Sequence, residues 1–347
     1  MERNGFVTGG TWCVDYNMTL PHWPREETAT RILSSTRQGG GSGCNFAVDM
    51  RRLAPEIPVS TIALCGDDSD GALLRSIARE NGIDARFHVV PAPTHRTMAF
   101  TALENGRRTH LFQAESSDLL TPDHFDFSNT RAAILHLGLP GTHAAMDAPW
   151  QNDPNGWVTV LRKARSAGLR TNLEVMTIAA DTLRELVLPC LPHLDYLVVN
   201  DYEIGALTGI EVLPGGEVAA PAILQAARRA LEMGAMSMVV VHFPSGAVAV
   251  DRSGAVASHP SVQVPKSTVA GTNGAGDAFV AGFFCGISRG RGLDECLAFA
   301  HAAAAASLRS VDTYGAVERI ETCLDLANGY GWRAPLQLAL PSGHGRA

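Results

Sequence analysis

From Ala132 onward, short apolar runs alternate with longer amphipathic stretches. Strand candidates are Ala132–Leu137, Arg170–Val175, Tyr196–Val199 and Met238–Val241. Helix candidates include Trp157–Ala167, Ile178–Val187, Tyr202–Leu207 and Ala219–Met233. A strand that returns through a helix re-enters the sheet in the same direction, so this rhythm builds parallel pairs. A parallel sheet is buried on both faces. The chain is therefore expected to be an α/β protein with a mainly parallel central sheet and helices on both sides.

The first third reads differently. Gly5–Asp15 looks like a buried strand, and Thr30–Arg37 a short one leading into Gly39–Gly43. A helical pattern starts at Asn45, with Phe46, Val48, Met50 and Leu53. Val59–Cys65 reads as a strand and Gly71–Asn81 as a helix stopped by Gly82. Arg86–Val90, Thr97–Glu104 and Thr109–Gln113 look like short strands, the last two joined at Asn105-Gly106, a hairpin turn sequence. A small separate sheet built from about 11–38 and 86–114 is expected. Ala247–Val250 and Ala255–His259 read as a hairpin, and Gly276–Ser288 and Leu293–Leu308 as long helices. No linker divides residues 1–340, which are expected to form one domain; 341–347 read as a mobile tail.

Composition narrows the function. Hydrophobic residues make up 46% of 347, enough for a large core, and the net charge is −7. No Lys/Arg cluster offers an electrostatic footprint for nucleic acid, and an acidic balance disfavours anionic membranes. The seven cysteines, Cys13, Cys44, Cys65, Cys190, Cys285, Cys296 and Cys323, form no C-x-x-C pair. They read as buried thiols of a cytoplasmic protein, and no secretory signal is expected.

Residues 271–277 carry the chemistry: Gly-Thr-Asn-Gly-Ala-Gly-Asp, followed by the apolar run Ala278–Gly282. Small residues at a helix start let backbone N–H groups approach an anion, and the helix dipole favours negative charge there. Asp277 stands beside that anion hole. A phosphate cradle next to a base suits phosphoryl transfer to a hydroxyl.

Several segments in order resemble the PfkB, or ribokinase-like, family of carbohydrate kinases. Gly40-Gly41-Ser42-Gly43-Cys44-Asn45-Phe46-Ala47 looks like its N-terminal signature, and Gly66-Asp67-Asp68-Ser69-Asp70-Gly71 its G-D-D-x-x-G turn. Asn200-Asp201-Tyr202-Glu203 matches N-x-x-E. Thr272–Asp277 with Ala278-Phe279 matches most of the C-terminal signature, and Phe299–Ala305 the helix after it. The resemblance covers roughly residues 5 to 320 and implies the ribokinase-like three-layer fold with a small β-sheet lid. It implies ATP as co-substrate, with Asp277 as base and Gly274, Ala275 and Gly276 as the anion hole. It places Asp15, Gly40, Gly41 and Asn45 on the acceptor. Thr272, Asn200, Glu203 and His301 fall on the nucleotide, with Glu203 holding Mg²⁺ through water. Thr97, Phe112 and Gln113 fall on the lid, whose exposed sheet favours a homodimer.

The chain also departs from the pattern. Gly271 stands where the family usually has Asp, which puts K⁺ activation in doubt. Val241–Gly246 replaces a T-x-G-x-x-G-like nucleotide loop, and Asn172-Leu173-Glu174 replaces D-x-N followed by Arg. The sequence reading is thus an ATP-dependent kinase acting on a sugar or sugar-like alcohol. The alternatives are a nucleoside kinase of the same fold, or a ligand-binding protein that keeps the fold without turnover.

Overall fold

The computed structural model describes residues 3–339. In chain order its strands are β1 (Phe6–Gly10), β2 (Cys13–Leu20), β3 (Ser34–Gly40), β4 (Val59–Gly66), β5 (Asp84–Val90), β6 (Arg96–Ala102), β7 (Arg108–Gln113), β8 (Ile134–Gly138), β9 (Arg170–Leu173), β10 (Tyr196–Asn200), β11 (Met238–Phe243), β12 (Gly246–Asp251) and β13 (Val256–Pro260). The helices are α1 (Ser42–Leu53), α2 (Ser69–Glu80), α3 (Ala144–Asp147), α4 (Gly156–Ser166), α5 (Ala180–Val187), α6 (Asp201–Thr208), α7 (Ala220–Met233), α8 (Ala275–Ser288), α9 (Leu293–Ser307) and α10 (Ile320–Tyr330).

The larger sheet has nine strands in the order β13-β12-β11-β10-β9-β8-β1-β4-β5. From β5 to β11 every neighbour is parallel, and β12 and β13 add an antiparallel end. Period two sorts the side chains between two cores. In β10, Tyr196 and Val198 pack with Phe284, Ala300 and Ala303 of α8 and α9. Leu197 and Val199 pack on the other face with Leu161, Leu183 and Ala226 of α4, α5 and α7. Burying each such large side chain contributes about 1.5–3 kcal/mol, which is why the strand reads as an unbroken apolar run. The alanines of α9 serve close packing: a Cβ on Gly282 of α8 would fall 2.6 Å from Phe299 O.

The small sheet has the order β3-β2-β6-β7, with β2 and β6 parallel and the outer pairs antiparallel. Its register sets Gln38, Asp15, Thr97 and Phe112 in one row across the four strands. Three expectations need correction here. Gly5–Asp15 is two strands: the chain leaves the main sheet at Gly10, whose φ of 104° and contact with Gly138 exclude a side chain. Residues 86–90 do not join the lid; β5 pairs with β4 as the edge of the main sheet, the product of a β4-α2-β5 crossover. The lid's second part therefore begins at Arg96. A third C-terminal helix, α10, was not read from the sequence. The expected tail, 341–347, lies outside the described residues.

The G-D-D turn is structural. Asp68 caps α2 by accepting from Gly71 N at 2.8 Å, and also accepts from Thr94 Oγ1 at 2.7 Å. It ties the end of β4 to the segment entering the lid. Among the described residues no helix is long and apolar enough to cross a membrane.

Candidate active site

Helix α8 starts where the chain must turn tightly. Gly274, its N-cap, has φ 77°, and a Cβ there would meet Thr313 O at 2.3 Å. The next N–H groups have no partner within the helix, because first-turn donors never do. In front of Gly276 the space is open: an added Cβ would meet only His242 Cε1, at 3.8 Å. The structure thus brings Gly274, Ala275, Gly276 and Asp277 into one turn with room for an anion.

Asp277 is held by α1. Asn45 Nδ2 donates to Asp277 Oδ2 at 3.0 Å, and Thr313 Oγ1 donates to Asn45 Oδ1 at 3.1 Å. Asn45 lies inside the first turn of α1, whose N-cap is Gly41, so it is not a helix cap. Asp277 is partly exposed and lines the cavity in front of it. Burial first, and then the neighbouring Glu174 carboxyl, push its pKa well above the ordinary range.

That cavity, about 580 Å³, lies between the lid and the C-terminal ends of the parallel strands. Asp15, Gly41, Asn45, Thr97 and Phe112 line it, together with Glu203 and Asp277. Asp15 accepts from the Cys13 thiol at 3.4 Å, and burial raises its pKa to about 6. Gly40 does not line the cavity; it lies behind Asp15, where a Cβ would strike the carboxylate at 2.2 Å. Gln113 is likewise not among the lining residues. His95 and His110 are, and the sequence did not single them out. Thr142, Leu139 and Met176 were also unanticipated, because their segments carry no motif.

A second cavity of about 490 Å³ lies on the other side of the α8 start. Asn200, Thr272, Ala275, Gly276 and His301 line it, as do Lys266 and Arg333. His301 is buried among apolar side chains, edge-on to Phe279 at 5.1 Å, with Nε2 lacking a partner. Burial lowers its pKa to about 3, so it is neutral. Asn200 and Glu203 bridge the two cavities through a reciprocal cap on α6: Glu203 N donates to Asn200 Oδ1 at 2.8 Å, and Asn200 N to Glu203 Oε2 at 2.9 Å. Thr177 Oγ1 donates to Glu203 Oε1 at 3.1 Å, and burial raises the Glu203 pKa to about 7. A wider surface hollow of about 670 Å³ beside α4, lined by Asp126, Arg162 and Lys163, contains none of the motif residues.

Glu174, noted above only as a departure, lines the same cavity as Asp277. The two carboxyls lie close enough for Glu174 to raise the Asp277 pKa. Glu174 Oε2 lies 2.6 Å from His136 Nε2. No local sequence signal announces this pair, since Glu174 follows β9 and His136 sits in the middle of β8, in separate segments.

Comparisons with known proteins agree with this geometry. The model of the pfkB family carbohydrate kinases matches residues 10–320. A 5-dehydro-2-deoxygluconokinase of Shouchella clausii is 25% identical over 85% of this chain and 86% of its own length. An adenosine kinase of Schizosaccharomyces pombe is 24% identical over 76% and 77%. The ribokinase of Arabidopsis thaliana solved with ribose and ATP superposes with a TM-score of 0.73 at 20% identity, covering 94% of this chain and 99% of that one. With a family model matched over residues 10–320 and the two-sheet architecture in place, the chain belongs to the pfkB family of carbohydrate kinases.

Proposed function

We propose that this enzyme transfers the γ-phosphoryl group of ATP to a hydroxyl, most often a CH₂OH, of a sugar or sugar-like alcohol. The observation that carries this reading is that two cavities meet at one turn, with Asp277 facing the first and Gly276 the second. The acceptor occupies the first. Asp15 and the second N–H of Asn45 hold its hydroxyls, and Gly41 lets it approach the backbone. The nucleotide occupies the second, its phosphates against the N–H groups of Gly274, Ala275 and Gly276, its other end near Thr272 and His301. Asp277 takes the proton as the alcohol oxygen attacks phosphorus, and the cradle stabilises the charge that develops.

Among the described residues no cluster of three or more His, Cys, Asp or Glu could hold a metal. That fits Mg²⁺, which keeps several waters and binds mainly through phosphates. Each Glu203 oxygen accepts one hydrogen bond from protein, leaving capacity for a metal-bound water. When bound, the ion would neutralise phosphate charge; Asn200 and Glu203 would orient its waters.

A specific observation favours a second reading, a nucleoside acceptor. Phe112, exposed and stacked against His95 at 5.8 Å, looks across the cavity at Leu139, Val175, Met176 and Ile178. That slot suits a flat base. An ADP-release assay across pentoses, hexoses, polyols and nucleosides decides between the two. No ADP release above background with any of them leaves a ligand-binding protein without turnover.

The exposed Ile32, Leu33, Leu103 and Leu111 on and beside the lid support a homodimer through that sheet. The burial of all seven cysteines as free thiols supports a cytoplasmic setting. The acidic balance supports no role on nucleic acid or membranes.

A further inference from the structure

From the acceptor cavity, which Glu174 lines beside Asp277, a file of polar groups runs inward that the transfer step above does not use. Glu174 follows β9; its carboxyl shares the cavity wall with that of Asp277 and acts on it, and its Oε2 lies 2.6 Å from His136 Nε2. The contact with His136 lacks hydrogen-bond alignment, and neither atom has another partner. His136, on β8, is fully buried and stacked on Phe46 at 4.0 Å. Its Nδ1 lies 3.1 Å from Asn172 Nδ2, and the β8–β9 register puts these two residues opposite each other. The file is therefore set by the sheet rather than by a loop.

Two carboxyls in contact cannot both ionise cheaply, and burial makes the second charge costlier. The groups around them do not relieve this. Asp15 of β2, Asp49 of α1 and Glu203 of α6 are all acids. Arg108 acts on Asp15 and Arg52 on Asp49, and neither acts on the pair. His136 is the one nitrogen base in the file, and burial keeps it neutral.

We propose that Glu174, backed by His136, is a positioning residue that holds one proton against Asp277. The pair then enters the reaction with a single negative charge, and the Asn45 N–H places that charge on Asp277. The proposal rests on the base role of Asp277. In the transfer step the acceptor's O–H bond breaks and its proton goes to Asp277. The freed oxygen bonds to the γ-phosphorus as the bond to the ADP oxygen breaks. The proton on Glu174 is retained throughout.

The test compares Glu174→Gln with wild type and Asp277→Asn, using whichever acceptor the panel assay identifies. Gln keeps the shape and removes the shared proton. A neutral Glu174 O–H supports the Asp277 carboxylate more strongly than an amide N–H does, so in Glu174→Gln the acid limb of the kcat/KM profile moves up by about one pH unit. KM for ATP stays within about twofold. Infrared difference spectra of the ligand-free protein at neutral pH should show one protonated carboxyl in wild type that is lost in Glu174→Gln; Asp49 and Glu203, present in both, cancel as background. An unmoved acid limb in a folded Glu174→Gln, alongside an inactive Asp277→Asn, overturns this proposal and spares the base role. An active Asp277→Asn overturns the base role itself. If Glu174→Gln does not fold, infrared pH titrations of wild type and Asp277→Asn decide: the Glu174 carboxyl band must persist to higher pH in wild type, and equal midpoints refute the shared proton.

Discussion

Asp277→Asn changes one atom where proton transfer is proposed to occur. The amide keeps the side chain's shape and its contact with Asn45. It also removes a buried acid crowded by Glu174, so stability should hold or rise. The expected kcat loss is about 10²–10⁴-fold, the usual worth of general-base help, with an unchanged or higher Tm. Stopped assays and calorimetry on the same preparation check both. Gly271 yields a second expectation at this scale. A Cβ there would meet Ser310 O at 3.0 Å and Val311 Cα at 3.3 Å, and the Arg108 guanidinium lies 3.6 Å off. With a fixed cation nearby and no carboxylate, KCl should not raise the rate beyond a larger monovalent cation at equal ionic strength. A large K⁺-specific increase would contradict this. The place of Asp277 in the first turn of α8 was legible in the sequence because small residues and an apolar run flank it in one contiguous stretch. Glu174 was legible only as an oddity. Its meaning depends on β8, β9 and α8 meeting, which no local pattern encodes.

Helix α6 joins stability to ligand binding through its first turn. Asn200 and Glu203 cap each other, so each serves the fold before any ligand arrives. Asn200→Ala should cost about 1 kcal/mol of stability through the lost cap. It should also raise KM for ATP, because Glu203 loses its restraint from the Asn200 side chain. Asn200→Asp separates the two effects, since Asp caps as well as Asn but adds a negative charge beside the phosphates. Denaturant midpoints should recover in Asn200→Asp while KM stays raised; recovery of both would reduce Asn200 to a cap. At this scale the sequence was most informative. Strands and helices declared themselves by period, because burial of alternate residues on two cores leaves a mark on every strand. Sheet membership did not. Arg86–Val90 and Thr97–Glu104 look alike in the chain. Only the α2 crossover sends the first to β4, and only the long-range pairing of Thr97 with Asp15 sends the second to the lid.

Across the whole molecule, buried acids and buried histidines set opposing pH dependences. Burial raises Asp15 to about 6 and Glu174 and Glu203 to about 7. Each of these acids keeps its proton longer when folded, so its contribution is present at low pH and lost as pH rises from about 4 to 7. Asp49 and Asp277, raised further, extend that loss upward. Burial lowers His95 and His242 to about 4, and His136, His143 and His301 to about 3. These rings stay neutral when folded, so their contribution is lost as pH falls below the unfolded value of about 6.5. Between about 4.5 and 6.5 the two sets oppose each other. Below that window the histidines dominate, and above it only the acids act. Without ligand and in metal-free buffer, Tm should therefore be highest on a broad plateau near pH 5–6.5 and fall between pH 6.5 and 8. Glu174→Gln should flatten the alkaline fall by removing one member of the crowded pair. A Tm that climbs steadily from pH 6 to 8 would mean that these carboxyls are solvated rather than enclosed by protein.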